Sequence, residues 1–221
     1  MKILNYTIMT MLLLSAGVNI HAADNDSDKK TYKKTEIRAG IRMLSLDGLN
    51  DALSQNGLLK VNEMAYRFYI GERFIYRKVV INTGIEGLIS SNDKDERKSA
   101  LTSWGPSLEV GYKILETGKM ELYPYTGLSW SFVSFGTSQR HEGTSFSAVY
   151  SQSLAERVFH HQELDMMLGL SYRLNTGCNG IGIRAAYHPR VFQSKWKHAG
   201  KEVDFPSTDM RGWEVSVSFD F

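Results

Sequence analysis

Histidines and acidic residues lie close together in one part of the chain, and such groups are the usual carriers of acid–base and nucleophilic chemistry. His160 and His161 come just before Glu163 and Asp165, and His188 stands alone further on. A histidine within hydrogen-bond reach of a serine could act as the base of a hydrolase. Spacing along the chain does not place a nucleophile within that reach, so we predict histidines in polar networks and no catalytic residue.

Other chemical signatures are not found in the sequence. It contains no phosphate-binding loop, no Cys/His set with metal-ligand spacing and no GxSxG nucleophile motif. Cys178 is the single cysteine, so no internal disulfide is expected. We therefore predict neither a metal nor a cofactor. The formal net charge of +2 gives no reason to expect nucleic acid as a partner.

The first residues have the features of an export signal. A basic start precedes an apolar run over residues 8–20, and Ala22 is a small residue suited to cleavage. The run is too short for a spanning helix, although an N-terminal anchor helix is the alternative interpretation. We predict a signal peptide over 1–22, a flexible periplasmic leader over 23–34 and a single domain over 35–221.

Beyond residue 34, apolar and polar residues alternate with the period of two that is typical of strands. The pattern predicts eight strands, at 35–45, 62–71, 74–90, 102–115, 120–136, 162–174, 181–192 and 211–221. Three predicted connections are short and contain glycine, at 71–73, 116–119 and 175–180. The other four are long, at 46–61, 91–101, 137–161 and 193–210. Short turns at one end and long loops at the other are typical of transmembrane barrels.

The first long loop contains a helix signal. Leu49 and Leu53 share one helical face, Asp47 suits the N-cap position and Gly57 suits the stop. The sequence therefore predicts a helix of about two turns, which is too short to be stable without tertiary contacts.

Alternation is also typical of soluble β-sandwiches, so the polar faces of the strands have to decide between the two classes. These faces carry equal numbers of acidic and basic residues, and buried charges need partners. We predict that the charges pair inside a largely filled lumen, the alternative being a solvated sheet face. The sixteen residues are Glu36, Arg38, Arg42, Glu63, Arg67, Lys78, Glu86, Glu109, Lys113, Glu163, Asp165, Arg173, Arg184, Arg190, Glu214 and Asp220.

Aromatic residues on the apolar faces fall into two groups along the strands. Those near the predicted short turns are Phe74, Tyr76, Tyr112, Tyr172, Phe219 and Phe221. Those near the long loops are Trp104, Trp130, Phe132, Tyr187 and Trp213. Two aromatic belts are expected where a barrel meets the two interfaces of a membrane.

The last strand carries an apolar comb on alternate positions, made of Trp213, Val215, Val217, Phe219 and Phe221. The comb resembles the C-terminal assembly signal that the insertion machinery of the bacterial outer membrane reads. Residues 35–221 resemble the OmpA/OmpX-like family of eight-stranded outer-membrane barrels, most closely over 180–187 and the closing strand. The resemblance implies an all-β, closed, antiparallel up-and-down barrel in the bacterial outer membrane. That family is functionally mixed and mostly non-enzymatic, so the resemblance implies a non-enzyme.

The expected partners are outer-membrane lipid, the barrel-assembly machinery and an extracellular protein or surface ligand that the long loops contact. The loop at 137–161 mixes charged residues with aromatic ones such as Tyr150 and Phe159, which suits recognition, whereas the charged run at 93–98 indicates a solvated tip. We predict a structural or surface-interaction role. The alternatives are a narrow channel for ions or small solutes, a lipid A-modifying enzyme, and a secreted soluble barrel or sandwich.

Overall fold

A computed structural model describes residues 31–94, 97–139, 157–176, 179–206 and 208–221. The predicted signal peptide, the first part of the predicted leader and Cys178 lie outside these residues. No helix within the described ranges is long and apolar enough to cross a membrane.

The described residues form one helix and a single antiparallel sheet. In chain order the elements are β1 (Thr31–Met43), α1 (Asp47–Gln55), β2 (Met64–Tyr76), β3 (Val79–Lys94), β4 (Arg97–Tyr112), β5 (Leu115–Glu116), β6 (Met120–Gln139), β7 (Arg157–Thr176), β8 (Asn179–His188), β9 (Arg190–Gln193), β10 (Lys197–His198), β11 (Lys201–Glu202) and β12 (Gly212–Asp220). The eight long strands, β1–β4, β6–β8 and β12, each pair with the next, and β12 pairs with β1. The predicted closed eight-stranded barrel is therefore confirmed.

The predicted turn at 71–73 is wrong, because β2 continues to Tyr76 and the chain reverses at Arg77 and Lys78. Arg77 has a positive φ of 55°, as tight hairpin turns require. Gly71 instead faces Gly84 across the ladder. A Cβ on either glycine would overlap a backbone oxygen of the facing strand and the ring or hydroxyl of Tyr69. The glycine thus marks a close approach inside the barrel, which sequence inspection mistook for a turn.

Several strands extend beyond their predicted bounds. β1 begins at Thr31, so residues 31–34 belong to the barrel wall and not to the predicted leader. β6 and β7 are 20 residues long each, which shortens the connection between them from 137–161 to 140–156. β3 and β4 together absorb most of the predicted loop at 91–101. The extra residues include many small polar ones, which satisfy backbone pairing without showing apolar alternation.

The exterior of the barrel wall is apolar. On β12 the side chains of the comb alternate with buried ones, and Trp213, Val215 and Val217 are 66%, 59% and 54% exposed. The predicted aromatic belts lie on this surface, where Trp104 contacts Phe132 with ring centroids 5.1 Å apart. A closed wall with an apolar band around its outside is suited to lipid and unsuited to water.

The predicted helix is confirmed as α1, with Leu49 and Leu53 buried. Its start differs slightly, since Leu46 is at the N-cap without a side-chain cap and Asp47 lies in the first turn. Gly57, with a φ of 67°, follows the helix end in the left-handed conformation typical of that position.

Helix α1 belongs to a cap over the long-loop end of the lumen. We define the cap as residues 44–61 and 194–210, without the undescribed residue 207. Its buried apolar residues form one cluster with inward-facing residues of β2, β3, β4 and β6. The cluster comprises Leu44, Leu46, Leu49, Leu53, Val61, Trp196 and Met210 of the cap and Ala65, Leu88, Leu101, Val133 and Phe135 of the wall.

Candidate functional site: a charge-filled lumen beneath an apolar cap

The lumen of the barrel is filled by charged side chains. The described residues include fifteen buried charged ones, eight acidic and seven basic. Thirteen of them are among the sixteen that the sequence assigned to the interior. The thirteen are Glu36, Arg38, Arg42, Arg67, Glu86, Glu109, Lys113, Glu163, Asp165, Arg173, Arg184, Glu214 and Asp220.

The remaining assignments need correction. Glu63 and Lys78 are exposed, because Glu63 precedes the first residue of β2 and Lys78 lies in the β2–β3 turn. Arg190 is partly exposed and donates to the backbone oxygen of Thr208 at 2.8 Å. Sequence inspection missed Arg73 and Glu121, which are buried. The sequence prediction placed Arg73 in a turn. In a strand that continues past Gly71, Arg73 lies two residues further on and therefore on the same inward face.

Glu109 lies at the centre of the network. Arg38 donates to both of its oxygens, at 2.6 and 2.9 Å. Arg184 donates to Oε2 at 2.7 Å and the amide of Asn82 donates to the same oxygen at 2.9 Å. Glu36 accepts from the other side of Arg38, at 3.1 and 3.2 Å. Two arginines are thereby shared between two carboxylates across the width of the barrel.

Aromatic faces complete this layer. The guanidinium of Arg38 lies 3.8 Å from the ring centroid of Tyr69, and that of Arg184 lies 4.0 Å from Tyr125. Planar stacking of arginine on an aromatic face leaves its in-plane N–H groups free for carboxylates. The tyrosines therefore position the arginines and fill space that water would otherwise occupy.

A second group of ion pairs closes the short-turn end. Asp220 accepts from Arg73 at 2.8 Å and lies 2.6 Å from the Nη2 of Arg173. Arg73 also donates to Glu121 at 2.7 Å, and Lys113 pairs with Glu121 at 2.8 Å. These charges come from β2, β6, β7 and β12 and, for Lys113, from the residue directly after β4, so the network ties opposite walls together.

A third group lies towards the cap. Arg67 donates to Glu86 and to Glu214. His188 is bonded through Nε2 to Glu214 at 2.7 Å, and Ser129 donates to Glu86 at 2.5 Å. His188 thus has the predicted role of a histidine in a polar network.

Glu163 differs from the other buried acids. Neither of its carboxylate oxygens and neither ring nitrogen of His161 has a hydrogen-bond partner within the described residues. The nearest approach between the two side chains is 3.8 Å, from His161 Nε2 to Glu163 Oε2. Asp165, two residues on, accepts from Arg42 at 3.0 Å. Arg42 also donates to the backbone oxygen of Met210, which connects the polar lumen to the cap.

Hydrogen bonds hold the first segment of the cap on the wall. The side chain of Asn50 bonds both the N–H and the carbonyl of Val61, at 2.8 and 3.1 Å. Ser99 of β4 donates to the carbonyl of Leu59 at 2.6 Å, and Arg97 donates to that of Gly57 at 2.8 Å. The loop backbone is therefore satisfied by strand side chains rather than by a ladder.

An aromatic stack holds the second segment. The indole of Trp196 donates to the hydroxyl of Thr208 at 2.8 Å. The centroid of its ring lies 4.0 Å from that of His161 and 4.5 Å from that of Phe205. Phe159, assigned to a recognition loop by sequence, lies on β7 and packs 4.7 Å from Phe205. That assignment is corrected, because Phe159 supports the cap.

One serine–histidine contact lies on the outer surface. Ser134 of β6 and His160 of β7 are bonded, with Oγ and Nδ1 2.8 Å apart. No carboxylate bonds His160 in the described part of the chain, so the acid of a triad is missing there. In the same ranges, no three His, Cys, Asp or Glu side chains are grouped so that they could hold a metal ion.

Neither a family model nor a curated protein matches the sequence. Among solved structures, a major outer membrane protein from Thermus thermophilus aligns with a TM-score of 0.51 and 11% identity, over 86% of this chain and 99% of that one. Neisserial surface protein A (NspA) aligns with a TM-score of 0.47 and 13% identity, over 86% of this chain and 97% of that one. Ail, the attachment invasion locus protein of Yersinia pestis, aligns with a TM-score of 0.41 and 14% identity, again over 86% of this chain and 97% of that one. With its closed wall and apolar exterior, the chain has the fold of the eight-stranded outer-membrane β-barrels.

Proposed function

We propose that the protein acts at the cell surface through the parts of the barrel that project beyond the membrane, and that its lumen does not conduct. The observation that carries the proposal is the cap. The buried apolar cluster of the cap lies at the long-loop end above three groups of paired charges, and together these side chains occupy the described interior. The surface that remains for function is the extracellular one.

The β6–β7 hairpin supports this proposal. Both strands run for 20 residues, about twice the length that crosses a hydrocarbon layer. The connection 140–156 at its tip carries aromatic residues and charges of both signs, a composition suited to protein contacts. The partner in this proposal is an extracellular protein or surface ligand. Outer-membrane lipid and the assembly machinery, which would read the comb of β12, are the other proposed partners.

Shortening the tip tests the surface role. We expect replacement of 141–155 by a short Gly/Ser turn to abolish binding of intact cells to a panel of immobilised extracellular-matrix proteins. The barrel should still show a heat-dependent shift on a detergent gel, since the replacement leaves β6, which ends at Gln139, and β7, which begins at Arg157, intact. Lys33→Gln, an exposed position near the periplasmic end of β1, is the control and should leave binding unchanged. Unchanged binding after tip replacement would contradict the proposal, as would absence of binding by the wild type.

The channel alternative makes the opposite prediction about conductance. We expect the purified protein in planar bilayers to show little or no steady conductance, because both the cap and the ion pairs block the lumen. Large, stable channels in the pure protein would show that the filled lumen rearranges and would favour the channel. Among the described residues, the lipid-modifying alternative has only the contact between Ser134 and His160 in its favour.

A further inference from the structure

The ladder between β4 and β6 has a short break near the periplasmic end. Pairing stops where Gly111 faces Tyr125 and resumes at Ile114, whose N–H donates to the carbonyl of Leu122 at 2.9 Å. Within the break the chain stays paired on its other side, where the N–H of Lys113 donates to the carbonyl of Lys78 at 2.7 Å. Pro124 stands opposite on β6 and has no N–H to donate across the break.

The break opens a cleft on the outside of the barrel. The cleft has a volume of about 370 Å³ and is lined mainly by Val79, Val110, Tyr112, Pro124 and Thr126. Gly111 and Tyr125, whose ring points into the lumen, also contribute to the lining of this open groove. Its size is at the lower end of the range for small-molecule sites.

The surroundings of the cleft determine its occupant. Val110 and Tyr112 lie on the exposed apolar face of the wall, 44% and 53% exposed, where the neighbouring phase is lipid and not water. Tyr112 belongs to the aromatic belt at the periplasmic interface. An occupant at this depth is hydrocarbon, and its polar end must leave the cleft towards the periplasm.

Two cations stand where that polar end would emerge. Arg77 and Lys78 form the β2–β3 turn, directly before Val79 of the cleft, and both are exposed. Neither takes part in an ion pair within the described residues. Guanidinium and ammonium groups at a membrane interface suit a phosphate. We propose that the cleft binds a phospholipid of the periplasmic leaflet, with one acyl chain in the cleft and its phosphate on Arg77 and Lys78.

Native mass spectrometry tests this site after reconstitution of the full barrel in vesicles containing phosphatidylglycerol and extraction into mild detergent. We expect the wild type to retain one phospholipid at least five-fold more than Thr126→Trp, which fills the cleft, and than the double variant Arg77→Gln/Lys78→Gln. Matched controls are Ile183→Trp, on the lipid-facing side of β8, and Lys33→Gln, an exposed periplasmic cation on β1. Both controls should retain lipid like the wild type.

Equal retention by Thr126→Trp and Ile183→Trp would indicate general lipid contact and overturn the site. Retention of diacylglycerol as strongly as phosphatidylglycerol would overturn the assignment of the phosphate to the two cations. Val110→Phe fills the same cleft from β4 and provides an independent test if Thr126→Trp does not insert. A heat-dependent gel shift confirms folding of each variant before the comparison.

Discussion

Glu109→Gln is expected to lower the free energy of unfolding of the barrel by about 3–5 kcal/mol, the usual cost of removing one partner from a buried ion pair. Glu109 accepts from Arg38, Arg184 and Asn82, and the substitution leaves two buried arginines to share Glu36. Urea unfolding in phospholipid vesicles, followed by the loss of the folded band on an unheated gel, measures the change.

Two matched substitutions separate the loss of pairing from the loss of a carboxylate as such. Glu63→Gln removes an exposed acid and should change the free energy by no more than about 0.5 kcal/mol. Glu163→Gln removes a buried acid that has no hydrogen-bond partner among the described residues, and we expect a loss of less than about 1 kcal/mol. A loss for Glu163→Gln as large as that for Glu109→Gln would contradict the ion-pair explanation.

Trp196→Ala is expected to destabilise the cap by about 3–5 kcal/mol, the range for truncating a buried tryptophan. Trp196 is 4% exposed and is packed between His161 and Phe205. Because the wall has its own ladder, we expect the cap to open while the barrel stays folded. Hydrogen exchange of the amides in α1 should accelerate by more than about 100-fold, since about 1.4 kcal/mol corresponds to a factor of ten.

Trp213→Ala is the control for this experiment, because Trp213 is 66% exposed on the lipid-facing side of β12. It should leave exchange in α1 unchanged. Slow exchange in α1 after Trp196→Ala would show that the cap does not depend on the aromatic stack. Fast exchange along the barrel strands as well would show that cap and wall unfold together.

Alternation was sufficient to predict the wall and most of the interior. Glu36, Arg38 and Gly40 share one face of β1, and the inward direction of that face follows from period two alone. Alternation does not show where a strand ends. A glycine such as Gly71 occurs both in turns and at close contacts between strands, so the sequence pattern did not reveal that β2 continues through Arg73.

The cap was not predicted, although part of its signal is visible. Leu49 and Leu53 indicated the helix, but Trp196 and Met210 lie far along the chain in a segment without periodicity. Nothing local brings these residues together, since their contact depends on the closed wall beneath them. The long loops contain large apolar residues of the kind usually found in protein interiors, such as Leu44, Leu46 and Trp196. Their presence in loops is the signal that could have indicated the cap.

The cap is built from two segments that are far apart in the chain, and this affects when it can form during assembly. Residues 44–61 follow the first strand and 194–210 precede the last, so the cap depends on contacts of very high sequence separation. Such contacts form late, because the chain loses loop entropy before they can stabilise it. We therefore expect the cap to close no earlier than the pairing of β12 with β1, which spans a similar separation. A barrel that has not yet closed would leave its outer mouth open to small solutes until Met210 meets Arg42.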